Sequence, residues 1–254
     1  MSCPHRYLEF VTVEPLRLRV QFAKRGKARY LSHSEFSRTL MISARRAGLP
    51  LQYSGKYRPR MKVSLSPPLP IGVTSECELV DFFLEQYVSP AEAEQALERS
   101  LPDGIQVVRC RLMGSDAKPV GKLIDTAAYR VQLPTETGNE GDWKRAVEIF
   151  LGMEVVNLER VQPRRTRVVD LRPGVHELEA GIGPDGSGVG LFMVLDDGTR
   201  GTVKPSEVLR VLADLAGAAE GSWRDALVHR EGLFARRGGR LVSPLELGKH
   251  RPAV

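Results

Sequence analysis

One histidine, seven arginines and lysines and two tyrosines fall within thirty residues of this chain, and together they suit phosphate chemistry. His33 is the proton-transfer candidate. An imidazole ionises near neutrality, so it can act as general acid or base on RNA. Its alternative role is structural, capping a helix or packing on a loop. No second histidine lies in the block to complete a metal-independent cleavage mechanism. The cations Arg38, Arg45, Arg46, Lys56, Arg58, Arg60 and Lys62 are candidates for phosphate contact, and Tyr53 and Tyr57 offer rings on which an unpaired base can stack. The alternative is a solvated face that pairs with the acidic remainder of the protein.

The charge balance favours the first reading. Residues 17–62 hold thirteen Lys/Arg and a single acid, Glu35, for a net charge of +12. The whole chain is only +6, so the other residues sum to −6. A strongly basic segment on a mildly acidic body attracts a polyanion.

Two further regions carry candidate groups. Ser64, Ser66, Gly72, Ser75 and Glu76 lie in or beside a proline-stiffened loop, SPPLPIGVTSE, which either presents hydroxyls to a ligand or packs across a sheet edge. A triad on Ser32 or Ser75 has no GxSxG-type turn to support it. Arg164, Arg165 and Arg172, with Arg200 and Lys204 as neighbours, form either a second positive strip or ordinary strand and turn surface; Lys204 precedes a helix start, where free N–H groups favour phosphate. The glycine-rich 181–190 lacks the Lys-Ser/Thr of a phosphate loop and reads as a hairpin. Cys3, Cys77 and Cys110 are far apart, and the other histidines are scattered, so no metal or cofactor is expected.

These groups need a scaffold. Residues 16–23 alternate as a half-buried strand does. Ser32 and Glu35 have capping-box spacing, and Phe36, Leu40, Ala44 and Ala47 make the apolar stripe of a helix that Gly48 and Pro50 end. An extended arm over 51–65, a strand at 77–88, a helix at 90–101 and a strand at 104–113 follow. The order β-α-β-β-α-β predicts a ferredoxin-like α+β sandwich over residues 16–115, preceded by an extension at 1–15. After a linker at 114–122, strands are expected at 123–133, 154–161, 166–171, 175–182 and 189–195. With helices at 143–151 and 205–216, they give a second, related α+β domain over 123–216. Residues 217–254 read as an Arg/Gly-rich tail. No apolar run is long enough to span a bilayer, and the first residues lack the apolar block of a secretion signal, so a cytoplasmic location is expected.

The first third of the chain resembles the radical SAM-linked proteins, a bacterial family of uncharacterised function. The resemblance rests on Leu31-Ser32-His33, Arg38, the run Arg45 to Leu51, Tyr53-Ser54, Pro59, Ser64, Leu69-Pro70, Gly72, Ser75-Glu76 and Glu78. It continues more weakly at Val169 to Pro173 and Gly201 to Pro205. Residues 55–60, GKYRPR, depart from the family's loop, losing its histidine and gaining Arg58 and Arg60 around Pro59. The resemblance implies an accessory protein in RNA processing, with RNA and a radical SAM enzyme or ribonuclease as partners. The chain lacks the radical SAM cysteine triad and would be the stand-alone form. Three functions therefore stay in view: an RNA-binding accessory protein, an RNA-cleaving or RNA-modifying enzyme using His33, and a docking module for an acidic partner.

Overall fold

The computed structural model describes residues 16–114, 116–162, 165–183, 186 and 188–248. The expected extension at 1–15 lies outside them. The first half runs β1 (Leu16–Lys24), α1 (His33–Arg46), β2 (Tyr53–Ser54), β3 (Arg60–Met61), β4 (Val63–Leu65), β5 (Thr74–Leu84), α2 (Pro90–Glu98) and β6 (Ile105–Met113). The second runs β7 (Thr126–Gln132), α3 (Glu140–Gly152), β8 (Asn157–Gln162), β9 (Arg165–Asp170), β10 (Val175–Ile182), β11 (Val189–Asp196), α4 (Pro205–Ala216), β12 (Leu227–Arg237) and β13 (Arg240–Val242). The protein is thus a mixed α+β structure with four helices among the described residues.

The main sheet has nine strands and runs β10-β11-β7-β12-β5-β1-β6, with β4 beside β5 and β13 beside β12. The first half has the order β4-β5-β1-β6 and the second β10-β11-β7-β12, so corresponding strands occupy corresponding places. Pairing within each half is antiparallel. The halves join where β12 runs parallel to the start of β5, at His229–Thr74 and Arg230–Ser75.

Strand periodicity explains the two cores. Leu18, Val20 and Phe22 of β1 and Val80, Phe82 and Leu84 of β5 meet Phe36, Leu40 and Ala44 of α1 and Ala93 and Leu97 of α2. In the second half, Tyr129, Val131, Leu191 and Met193 meet Trp143, Phe150, Val208 and Leu212. Cys77 and Leu79 alternate with Val80 and join that second core, so β5 serves both.

Helix α1 starts as the sequence predicts. Ser32 Oγ accepts from the Glu35 N–H at 3.3 Å, and the Glu35 carboxylate accepts from the Ser32 N–H at 2.8 Å. Ser32→Ala should therefore lower the unfolding free energy by about 1 kcal/mol in a urea titration. An unchanged midpoint would mean the cap contributes nothing. Among the described residues, no helix is long and apolar enough to cross a membrane.

Two expectations change. The supposed tail contains β12, which sits in the middle of the sheet between β7 and β5. The supposed half-buried strand β1 is covered on both faces. Its apolar side meets the helices, and its polar side lies under the 114–122 connection and the segment around Pro244, which receive Arg17 and Arg19. Within that connection Val120 is fully buried.

Candidate nucleic-acid interface

The basic stretch divides by burial. Arg17, Arg19 and Lys24 lie inside the protein. Arg19 grips Asp81 with two parallel bonds of 2.6 and 2.9 Å and also donates to the Lys118 and Pro244 carbonyls. Arg17 donates to the Ala117 carbonyl at 2.6 Å. Lys24 donates to the Leu31 carbonyl at 2.7 Å and lies over the Phe36 ring. These three charges fix the fold and face no solvent. Arg25 pairs with Glu76 at the surface.

The other cations named as candidates stand in solvent. Arg38, Arg45 and Arg46 are exposed along α1, and Lys56, Arg58, Arg60 and Lys62 are exposed on and beside the β2–β3 hairpin. None of these seven forms an ion pair among the described residues. Helix and hairpin are joined by Gly48 to Gln52. The Gln52 N–H donates to the Phe83 carbonyl and the Lys62 N–H to the Gln52 carbonyl, which pins the hairpin to the end of β5. Tyr57 at the hairpin tip is 89% exposed and Tyr53 is 42% exposed, so each presents a ring to solvent. Exposed aromatics among unpaired cations can stack bases while the cations meet phosphates.

His33 is the first residue of α1 and partly buried. Burial lowers its pKa, Glu78 opposes that, and Lys24 and Arg230 reinforce it. The imidazole is therefore neutral at pH 7. Between its folded pKa and 6.5 the unfolded chain binds more protons, so His33 costs stability as the pH falls through 6.5. A nuclear magnetic resonance titration should give a midpoint below 6.5; one at or above it contradicts the assignment.

The proline loop is held from within. Ser66 and Ser75 are buried, and their hydroxyls accept from the Leu79 and Cys77 N–H groups. Ser64 Oγ accepts from the Gly121 N–H. Of the two readings open for this loop, Ser66 and Ser75 follow the packing one. Gly72, at φ +86°, exchanges two bonds with Arg29, donating its N–H to the Arg29 carbonyl and accepting from Arg29 Nε. Ser32 serves as the cap of α1 and heads no triad.

In the second strip, Arg164 lies outside the described residues, and Arg165 is described only as backbone in β9. Arg172 donates to the Val175 and Leu151 carbonyls and ties β10 to the end of α3. Arg200 stands 3.7 Å from Asp125. Lys204 is exposed at the start of α4. Of this strip, the fold engages Arg172 directly, while Lys204 stands in solvent.

One group had no sequence signal. Arg230 of β12 is fully buried. Its five N–H donors meet Tyr129 Oη, Glu78, Asp197 and the carbonyls of Pro67 and Pro68, at 3.0–3.2 Å. Burial disfavours the guanidinium charge, but the oxygens of Tyr129, Glu78 and Asp197 more than offset this and hold it ionised. Burial also raises Asp197 above its usual range despite Arg230. The arginine clamps the proline loop to the seam between the halves. Cys77 and Cys110 are free, buried thiols, each pushed up to about 12 by burial. Among the described residues, no cluster of side chains suits a metal.

Fold and surface together define a mixed α+β protein with a shaped, unpaired basic face. The chain belongs to the bacterial family DUF2344, uncharacterized protein conserved in bacteria, whose model matches residues 17–205. No curated protein matches it. A chain in a solved structure described as a Cbf5-Nop10-Gar1 complex is similar at 12% identity and a TM-score of 0.45, covering 87% of this chain and 49% of that one. The protein thus spans about half the length of that chain.

Proposed function

We propose that this protein is an RNA-binding accessory factor, built from two ferredoxin-like halves, that serves a separate radical SAM or RNA-processing enzyme. The observation that carries the RNA reading is the set of seven exposed, unpaired cations on α1 and the β2–β3 hairpin, with Tyr53 and Tyr57 among them. The matching strand orders of the two halves support the ferredoxin-like reading. The partner enzyme rests on the resemblance of the first third to radical SAM-linked proteins.

A binding role fits the site better than catalysis by His33. The imidazole is partly buried at the start of α1, and its polar surroundings include a buried Lys24 and a clamped Glu78. Crosslinking in cells, with RNA and protein recovered separately, tests the proposal. RNA crosslinked at the helix or hairpin is expected. Recovery of a protein partner at that face after complete nuclease treatment, with no RNA, would replace RNA by an acidic protein.

A further inference from the structure

A cleft of about 420 Å³ opens at the seam between the halves, away from the residues assigned above to the basic face. Its walls come from the turn after β1, the loop before β5, the start of α4 and the segment leading into β12. The residues that give it chemistry are Arg29, Tyr30, Ile71, Ser206, Trp223 and Arg224.

Three observations point to one kind of ligand. First, the cleft has unused cationic donors. Arg29 is positioned by its Nε bond to the Gly72 carbonyl at 2.6 Å and by stacking 5.6 Å from the Tyr30 centroid, and neither terminal nitrogen has a partner among the described residues. The Arg224 guanidinium has neither a hydrogen bond nor an ion pair among the described residues, although Asp225 shares its wall. Second, α4 begins there with Pro205, which has no N–H, and the Ser206 N–H has no acceptor among the described residues. Third, apolar and aromatic surface stands open beside these donors: Tyr30 is 66% and Ile71 64% exposed, and Trp223 is only partly covered. A flat heterocycle on the aromatic wall and an anion on the donors satisfy both parts at once.

We infer that the cleft binds a nucleoside phosphate, its base against Tyr30 and Trp223 and its phosphate on Arg29, Arg224 and the start of α4. The ligand is either a nucleotide splayed from an RNA chain or a free nucleotide; only the first source rests on the RNA reading above.

The two tryptophans make the test direct, because Trp143 is fully buried and Trp223 lines the cleft. Tryptophan fluorescence is followed during titration with AMP, adenosine, inorganic phosphate and a hexa-adenylate RNA. AMP or the hexamer is expected to change the emission saturably, with a Kd on the order of 0.1 mM for AMP. Adenosine and phosphate alone should each bind at least about tenfold more weakly. Arg224→Ala, which removes a side chain with no protein partner, should weaken the effect by about tenfold, and Trp223→Phe should abolish the signal. A hexamer response without an AMP response identifies the RNA chain as the source; the reverse identifies a free nucleotide. The inference fails if neither ligand gives a saturable change up to about 5 mM, or if Arg224→Ala binds as tightly as the parent. If hexamer binding persists without a Trp223 response and depends on Arg45 and Arg58, the cleft proposal alone falls. If AMP binds the cleft and no RNA binds the protein, the RNA reading alone falls.

Discussion

Replacing Arg230 by methionine is expected to lower the unfolding free energy by about 3–5 kcal/mol, because it leaves Glu78 and Asp197 buried without their cation. For a chain of this size that is a fall of roughly 6–20 °C in Tm. The loss should shrink on acidification. Asp197 already titrates above its usual range through burial, and removing Arg230 raises it further. A carboxyl whose folded pKa exceeds its unfolded value binds extra protons when folded, so the variant regains stability as the pH falls through that window. Arg230→Lys keeps the charge but cannot match five donors to five acceptors, and should fall between the two. A methionine variant within about 1 kcal/mol of the parent at pH 7 would show that the clamp is not a stability element.

Asp81→Asn should be comparably damaging. The aspartate is fully buried, accepts both parallel bonds from Arg19 and takes the Val120 N–H at 2.8 Å. Asparagine turns one acceptor into a donor facing a guanidinium and removes the one acid paired, among the described residues, with Arg17 and Arg19. The expected cost is about 3–5 kcal/mol in a denaturant titration. A second readout separates this lock from the Arg230 clamp. Arg19 also holds the Lys118 and Pro244 carbonyls, so limited proteolysis should open the 114–122 connection and the segment after Val242 first. Cleavage confined to the β2–β3 hairpin, with unchanged stability, would contradict the account.

The first half was largely legible because its signals are local. Ser32 and Glu35 announce a helix start, Ser89 and Pro90 announce another, and the apolar stripe of α1 needs no distant partner. Strand β12 was not legible, because its pattern is dictated by its neighbours. The run Val228-His229-Arg230-Glu231-Gly232 shows no apolar alternation, since Arg230 is buried by oxygens from β5, β7 and the proline loop and Gly232 lies at a bulge. The same gap affected β1. Its sequence shows apolar residues alternating with arginine, which reads as one wet face. Only the later connection and the Pro244 segment reveal that this face is covered. Charge sign was therefore readable, while charge burial was not. Of the thirteen cations in residues 17–62, three became internal locks, while the seven named as candidates stand exposed on α1 and on and beside the hairpin.

The most direct test of the basic face is the affinity of a short single-stranded RNA measured against salt concentration. The parent should show a slope of log affinity against log salt near −5 if all seven cations meet phosphate. Reversing Arg38, Arg45 and Arg58 to glutamate should weaken binding on the order of a hundredfold at low salt and flatten the slope by about 2. These side chains are exposed and unpaired, so the triple variant should keep its fold. An RNA affinity and salt slope that survive the triple reversal would contradict the assignment of this face to RNA.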